Sequence, residues 1–161
     1  MDSEEQKPSL YERLGGYDAI YAFAAAALKK GMQHPDIGHI WDHMPESSFY
    51  REHINFVDFL SAEWGGKVRY RGRDMVTAHR GMGLTDVHWN AMFDCLYECY
   101  AEFGVPEELQ QEINASIEKF KPVVVGSPSY RSVVLENPDI DVTKGMKSVG
   151  VEWPPQRTRS D

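Results

Sequence analysis

Glycine divides this chain. Pairs at Gly15–Gly16 and Gly65–Gly66, and single residues at Gly81, Gly83 and Gly104, separate stretches whose apolar residues recur with helical spacing. Glycine reaches backbone conformations that other residues avoid, so breaks of this kind end helices and turn the chain sharply. No stretch alternates apolar and polar residues convincingly enough for a strand. The expected class is all-α. With so many glycines between its helices, such a chain can enclose a pocket instead of closing into a simple bundle.

The segments follow from their end signals. Ser9 offers an N-cap to "LYERLGG", which stops at Gly15 and Gly16. Residues 17–32 are alanine-rich and apolar nearly all round at first, which predicts a deeply placed helix. Residues 34–46 form a connection with one short helical turn. In "SSFYREHINFVDFLSAEW" (47–64), Phe49, Phe56, Val57, Leu60 and Trp64 share a stripe, and His53 lies inside it. "RDMVTAHR" (73–80) has room for one or two turns. Thr85 with Asp86 starts a helix that runs to about Phe103. Pro106 opens the last one, which extends to about Pro122. The organisation expected is a flexible lead over 1–8, a helical domain over 9–125, and a Pro- and Gly-containing extension over 126–161, extended or disordered.

At 161 residues the chain is long enough for one domain with a real core. A formal net charge of −8 disfavours nucleic acid and anionic membrane as partners. No apolar run approaches the roughly 20 residues of a membrane span. The acidic start "MDSEEQKP" lacks a signal peptide's basic and apolar regions. Two cysteines make no disulfide framework, so the default expectation is an intracellular, cytoplasmic protein.

"AHRGMGL" (78–84) places a histidine at the end of a short helix, just before two glycines. His79 has two readings. It is a helix C-terminal residue favoured by the dipole, or an axial ligand on a short adjustable element facing an apolar pocket. Candidate lining residues are Phe23, Phe49, Phe56, Phe59, Leu60, Met75, Leu84, Trp89 and Met92.

Four pieces in order decide between them. "LYERLGG" (10–16), "DFLSAEWGG" (58–66), "YRGRDMVTAHRGMGL" (70–84) and "FGVPEEL" (103–109) together resemble the truncated haemoglobins, two-over-two helical globins, and most closely their first group. The resemblance spans about residues 9–125. It implies a two-over-two helical sandwich around haem b, with His79 as the proximal ligand and only metal ligand. Met75, Leu84 and Trp89 resemble haem-edge contacts, and Leu60 belongs to the lining. Tyr70, Arg71 and Arg73 are candidates near the propionates. The implied function is binding of oxygen, nitric oxide and carbon monoxide at haem iron. Oxygen transport, nitric oxide dioxygenation and weak peroxidase chemistry are candidate activities, and a reductase is a candidate electron donor.

The distal side departs from the family. Leu28 stands at the family's tyrosine position and Phe56 at its glutamine position, with Glu52 one turn earlier. Trp41 replaces the usual phenylalanine before the distal helix. His53 is the distal helix's imidazole, read either as a core histidine bonded to a backbone carbonyl or as a distal ligand. These substitutions and the long C-terminal extension motivate a second reading, a globin-fold interaction or structural module with haem function reduced or lost.

Two other groups admit a functional reading. His34, His39 and His43 could hold a transition metal or form a solvated loop. Cys95 and Cys99, four apart, share a helix face as a redox pair or as buried small residues.

Overall fold

The computed structural model describes residues 7–42 and 44–127. All regular structure there is helical. In chain order the α-helices are α1 (Leu10–Arg13), α2 (Tyr17–Gln33), α3 (Glu46–Glu63), α4 (Met75–His79), α5 (Asp86–Phe103), α6 (Glu107–Glu118) and α7 (Lys121–Val124), and a single 3-10 turn, Gly38–Trp41, precedes α3. No described helix is long and apolar enough to cross a membrane. His43 and most of the 126–161 extension lie outside the described residues.

The end signals act largely as the sequence suggests. Ser9 Oγ accepts the Glu12 amide at 3.1 Å, capping α1. Thr85 caps α5 in a reciprocal box, but its partner is His88, whose Nδ1 accepts the Thr85 amide at 2.9 Å. Imidazole here takes the part that Glu or Gln usually plays. Gly104, at φ 63°, ends α5 in the left-handed conformation. The last helix is shorter than expected. α6 ends at Glu118, and α7 begins anew with Pro122 in its first turn. Proline has no amide hydrogen for the carbonyl four residues back, so a continuous helix would leave Glu118 without its bond.

α2 is the central helix. It packs against both α3 and α5. Its buried residues Ile20, Phe23, Ala24 and Ala27 meet Val57, Leu60 and Trp64 of the α3 stripe and Phe93, Leu96 and Tyr100 of α5. Alanines along α2 keep the neighbouring helices close. Polar bonds tie the layers together at their edges. Tyr17 Oη donates to Asp58 Oδ1 at 2.9 Å, Trp64 Nε1 to Ser116 Oγ at 2.8 Å, and Tyr100 Oη to Asn114 Oδ1 at 2.7 Å. Burial first, and the bond to the Asp58 carboxylate second, push the Tyr17 phenol up to about 12.

The Gly65–Gly66 pair joins the first helix to the end of α3. Gly65 has φ 93°, and a β-carbon on it would stand 2.9 Å from Ser9 Cβ. A β-carbon on Gly66 would stand 2.8 Å from the Tyr11 ring and 2.9 Å from the Ser61 carbonyl oxygen. The Tyr11 amide donates to the Trp64 carbonyl at 2.9 Å across this junction. Gly66→Ala is therefore expected to cost about 1–3 kcal/mol by overpacking against backbone. A urea midpoint unchanged from wild type would contradict this account of the junction.

Candidate functional site

α4 is only five residues long, far below the length at which a helix persists alone. Its neighbours hold it. Asp74 caps it, accepting the Thr77 amide at 2.7 Å and the Thr77 hydroxyl at 3.0 Å, and these bonds hold the Asp74 carboxyl below its usual range. α7 packs along it, and the Gly126 amide donates to the Leu84 carbonyl at 3.1 Å just beyond it.

His79 is the last residue of α4. Its Nδ1 lies 2.8 Å from the Met75 carbonyl oxygen. A carbonyl only accepts, so Nδ1 carries a proton, and in the neutral ring the lone pair is then on Nε2. Nε2 has no hydrogen-bond partner among the described residues. His79 lines a cavity of about 350 Å³.

Every helix except α1 contributes to that cavity. α2 supplies Ala27, Leu28 and Gly31, and α3 supplies Glu52, Asn55, Phe56, Phe59 and Leu60. Met75 and Ala78 join His79 from α4, Trp89, Met92 and Leu96 come from α5, and Ile117, Phe120 and Val124 close it from α6 and α7 with the turn between them. Trp41 of the 3-10 turn reaches in because α2 has no side chain at Gly31. A β-carbon there would stand 3.1 Å from Trp41 Cη2.

The cavity thus gathers the sequence candidates Leu28, Trp41, Glu52, Phe56, Leu60, Tyr70, Met75, His79, Leu84 and Trp89, and Phe59 and Met92 beside them. His53 is not among the lining residues. Its Nε2 lies 3.0 Å from the Tyr21 carbonyl and its ring packs 4.2 Å from the Tyr21 ring, so α2 holds it on another face of α3. The carbonyl-bonded alternative is the one observed. Phe23 and Phe49 do not line the cavity either. Phe23 stacks on Tyr100 at 6.0 Å within the core and borders a separate cavity of about 280 Å³.

At the rim, Tyr70 packs edge-on against Phe59 at 5.3 Å and donates its hydroxyl to the Arg73 carbonyl at 2.5 Å. The fold-back passes over Gly72, where any β-carbon would collide with that hydroxyl. Burial first, and the charge of Glu52 second, push the Tyr70 phenol up. Arg73 lines the cavity, whereas Arg71 does not.

Asn55, Met82 and His88 also line the cavity and were missed from sequence. The signal for Asn55 is its spacing, since it shares a helix face with Glu52 three residues earlier. His88 was concealed because its position depends on its role in the α5 cap. Of the connection's histidines, His34 accepts the Asp36 amide and approaches Asp94 at 3.4 Å, while His39 faces the His88 ring at 5.8 Å. No group of three or more metal-binding side chains assembles among the described residues.

The family model for bacterial-like globins matches residues 9–125. The chain belongs to that family. Its relatives include group 1 truncated hemoglobins from Tetrahymena thermophila, 27% identical over 75% of this chain and 98% of the relative, and from Synechocystis sp., 29% identical over 79% and 97%. The crystal structure of Tetrahymena pyriformis truncated hemoglobin in its Fe(III) form superposes with a TM-score of 0.69 at 28% identity, covering 74% of this chain and all of that one. A 2/2 hemoglobin from Synechococcus sp. with covalently attached heme superposes at 0.67 and 26% identity, over 73% and 98%. This globin therefore has the two-over-two helical sandwich of the truncated haemoglobins.

Cys95 and Cys99 share the inner face of α5, both buried and free. Cys95 lines the cavity. Burial pushes both thiols up, Cys99 to about 11. A thiol reagent at pH 8 is expected to label them far more slowly than an exposed cysteine, with denaturant restoring ordinary rates. Rapid labelling of both in the native protein would contradict this placement.

Proposed function

We propose that this globin binds one non-covalent b-type haem per chain, with His79 as the protein's iron ligand, and through it binds small diatomic ligands. The observation that carries this reading is the Nδ1 bond of His79 to the Met75 carbonyl, which leaves Nε2 unpartnered on the wall of a largely apolar cavity. A metal-ligating imidazole ordinarily bonds its other nitrogen in this way, which fixes the tautomer and raises ligand basicity. Haem, when bound, supplies the ligand-binding and redox chemistry. The chain's own residues supply the rest.

The lining fits a large flat apolar group with a charged edge. Phe56, Phe59, Trp89, Met92 and Phe120 offer apolar contact. Arg73 stands exposed at the rim with no ion-pair partner among the described residues, and suits a propionate. Tyr70 suits that role less, because its hydroxyl hydrogen is committed to the Arg73 carbonyl. Nitric oxide dioxygenation and weak peroxidase chemistry are the candidate activities, and sustained turnover requires a reductase. An interaction module without haem function has no use for an unpartnered imidazole nitrogen in such a cavity.

Purified protein reconstituted with haem is expected to show a Soret band and a ferrous carbon monoxide complex, with haem fully extracted by acidic organic solvent. His79→Ala should abolish the normal axial spectrum, whereas His34→Ala and His53→Leu should leave it intact. Unchanged ferric and ferrous spectra in the His79 variant would refute the assignment.

The haem-binding unit is residues 9–125, anchored one residue further by Gly126. The family match and the Gly126–Leu84 bond support this boundary. A chain ending at Ser127 is expected to fold and to take up haem like the full chain. Precipitation, or markedly weaker haem uptake, would place the remaining extension within the functional unit.

A further inference from the structure

Glu52 is the one carboxylate among the described residues that line the cavity. It is exposed at the rim and makes no hydrogen bond or ion pair with any described residue. It stands on the cavity wall with Asn55, Phe56 and Phe59 of the same helix, and its charge is felt across the rim by the Tyr70 phenol. A carboxylate accepts hydrogen bonds without donating any.

Asn55 brings an amide donor to the same wall and Arg73 a cation to the rim, where it suits a propionate, but the other neighbours of Glu52 on α2 and α3 do little to offset its charge. Phe56, one turn further along α3, is apolar, and so is Leu28 on the helix packed against it. His53 is committed to the Tyr21 carbonyl, and the Tyr70 hydroxyl to the Arg73 carbonyl. A ligand that brings its own hydrogen can form a charge-assisted bond to Glu52. A ligand that presents only lone pairs, or that gathers negative charge, meets like charge there instead.

We infer that Glu52 selects for ligands that carry a hydrogen, the class of hydrogen sulfide and hydrogen peroxide, over ligands such as dioxygen that need a donor from the protein. This rests on the reading that His79 holds haem iron in the cavity.

The test is equilibrium titration of the ferric full-length protein with sulfide and with cyanide, followed in the Soret band. Once bound to ferric iron both ligands are monoanions, hydrosulfide keeping a hydrogen and cyanide none, so at a fixed pH bare charge repulsion largely cancels in the ratio of their affinities. Glu52→Leu removes the acceptor and is expected to lower the sulfide-to-cyanide preference roughly tenfold, the scale of one hydrogen bond to a charged group. Glu52→Gln keeps the size and adds a donor. It should also lower the preference, and it should slow oxygen dissociation from the ferrous protein. A preference unchanged in both variants, with normal Soret bands, would overturn the role of Glu52 and leave haem binding by His79 standing. A wild-type protein that takes up no haem would overturn both.

Discussion

The bond from His79 Nδ1 to the Met75 carbonyl settles which nitrogen of the ring carries a lone pair, and the chemistry proposed for this molecule depends on that. The bond exists only while α4 is helical, because donor and acceptor are one turn apart. α4 cannot sustain itself, so the site's geometry depends on contacts outside it: the Asp74 cap, the packing of α7 and the Gly126–Leu84 bond. A short helix secured at both ends can hold an imidazole in place and still adjust when a group enters beneath it.

The rest of the fold keeps space open beside that helix. α2 packs on α3 along one side and on α5 along another, using small residues where backbones must come close. Larger side chains of the same helices divide between the core and the cavity. Trp64 and Tyr100 are buried and bonded to α6, which fills one end of the domain, while Phe56, Phe59, Trp89 and Met92 are left lining the cavity. Gly31 and Gly72 serve the same purpose locally, the first admitting the Trp41 indole and the second the fold of Tyr70 over its own loop.

The polar character of the cavity is asymmetric. His79 lines it with Nδ1 committed to the Met75 carbonyl. The α3 wall presents an acidic group, Glu52, beside the amide of Asn55. With Leu28 and Phe56 presenting apolar side chains on the same cavity, the proposed ligand preference would be set by acceptance of hydrogen more than by donation. Burial meanwhile keeps Cys95 and Cys99 as protonated, slow thiols.

Much of this was legible in the order of residues. The glycine breaks, the caps at Ser9 and Thr85, the α3 stripe and the histidine before Gly81 are local signals, and local signals act through backbone geometry that a few neighbouring residues dictate. The break at Pro122 was legible in principle too, because a missing amide ends a helix wherever it stands. The place of His88 was not, since it depends on a cap closing around it. The sharpest limit lies at residues 52 and 53. Adjacent residues on a helix point about 100° apart, and sequence register alone left both Glu52 and His53 as candidates for the same wall. The packing of α2 against α3 decided between them. The Tyr21 carbonyl and ring, 32 residues away in sequence, hold His53 outside the cavity, and this leaves Glu52 on its wall.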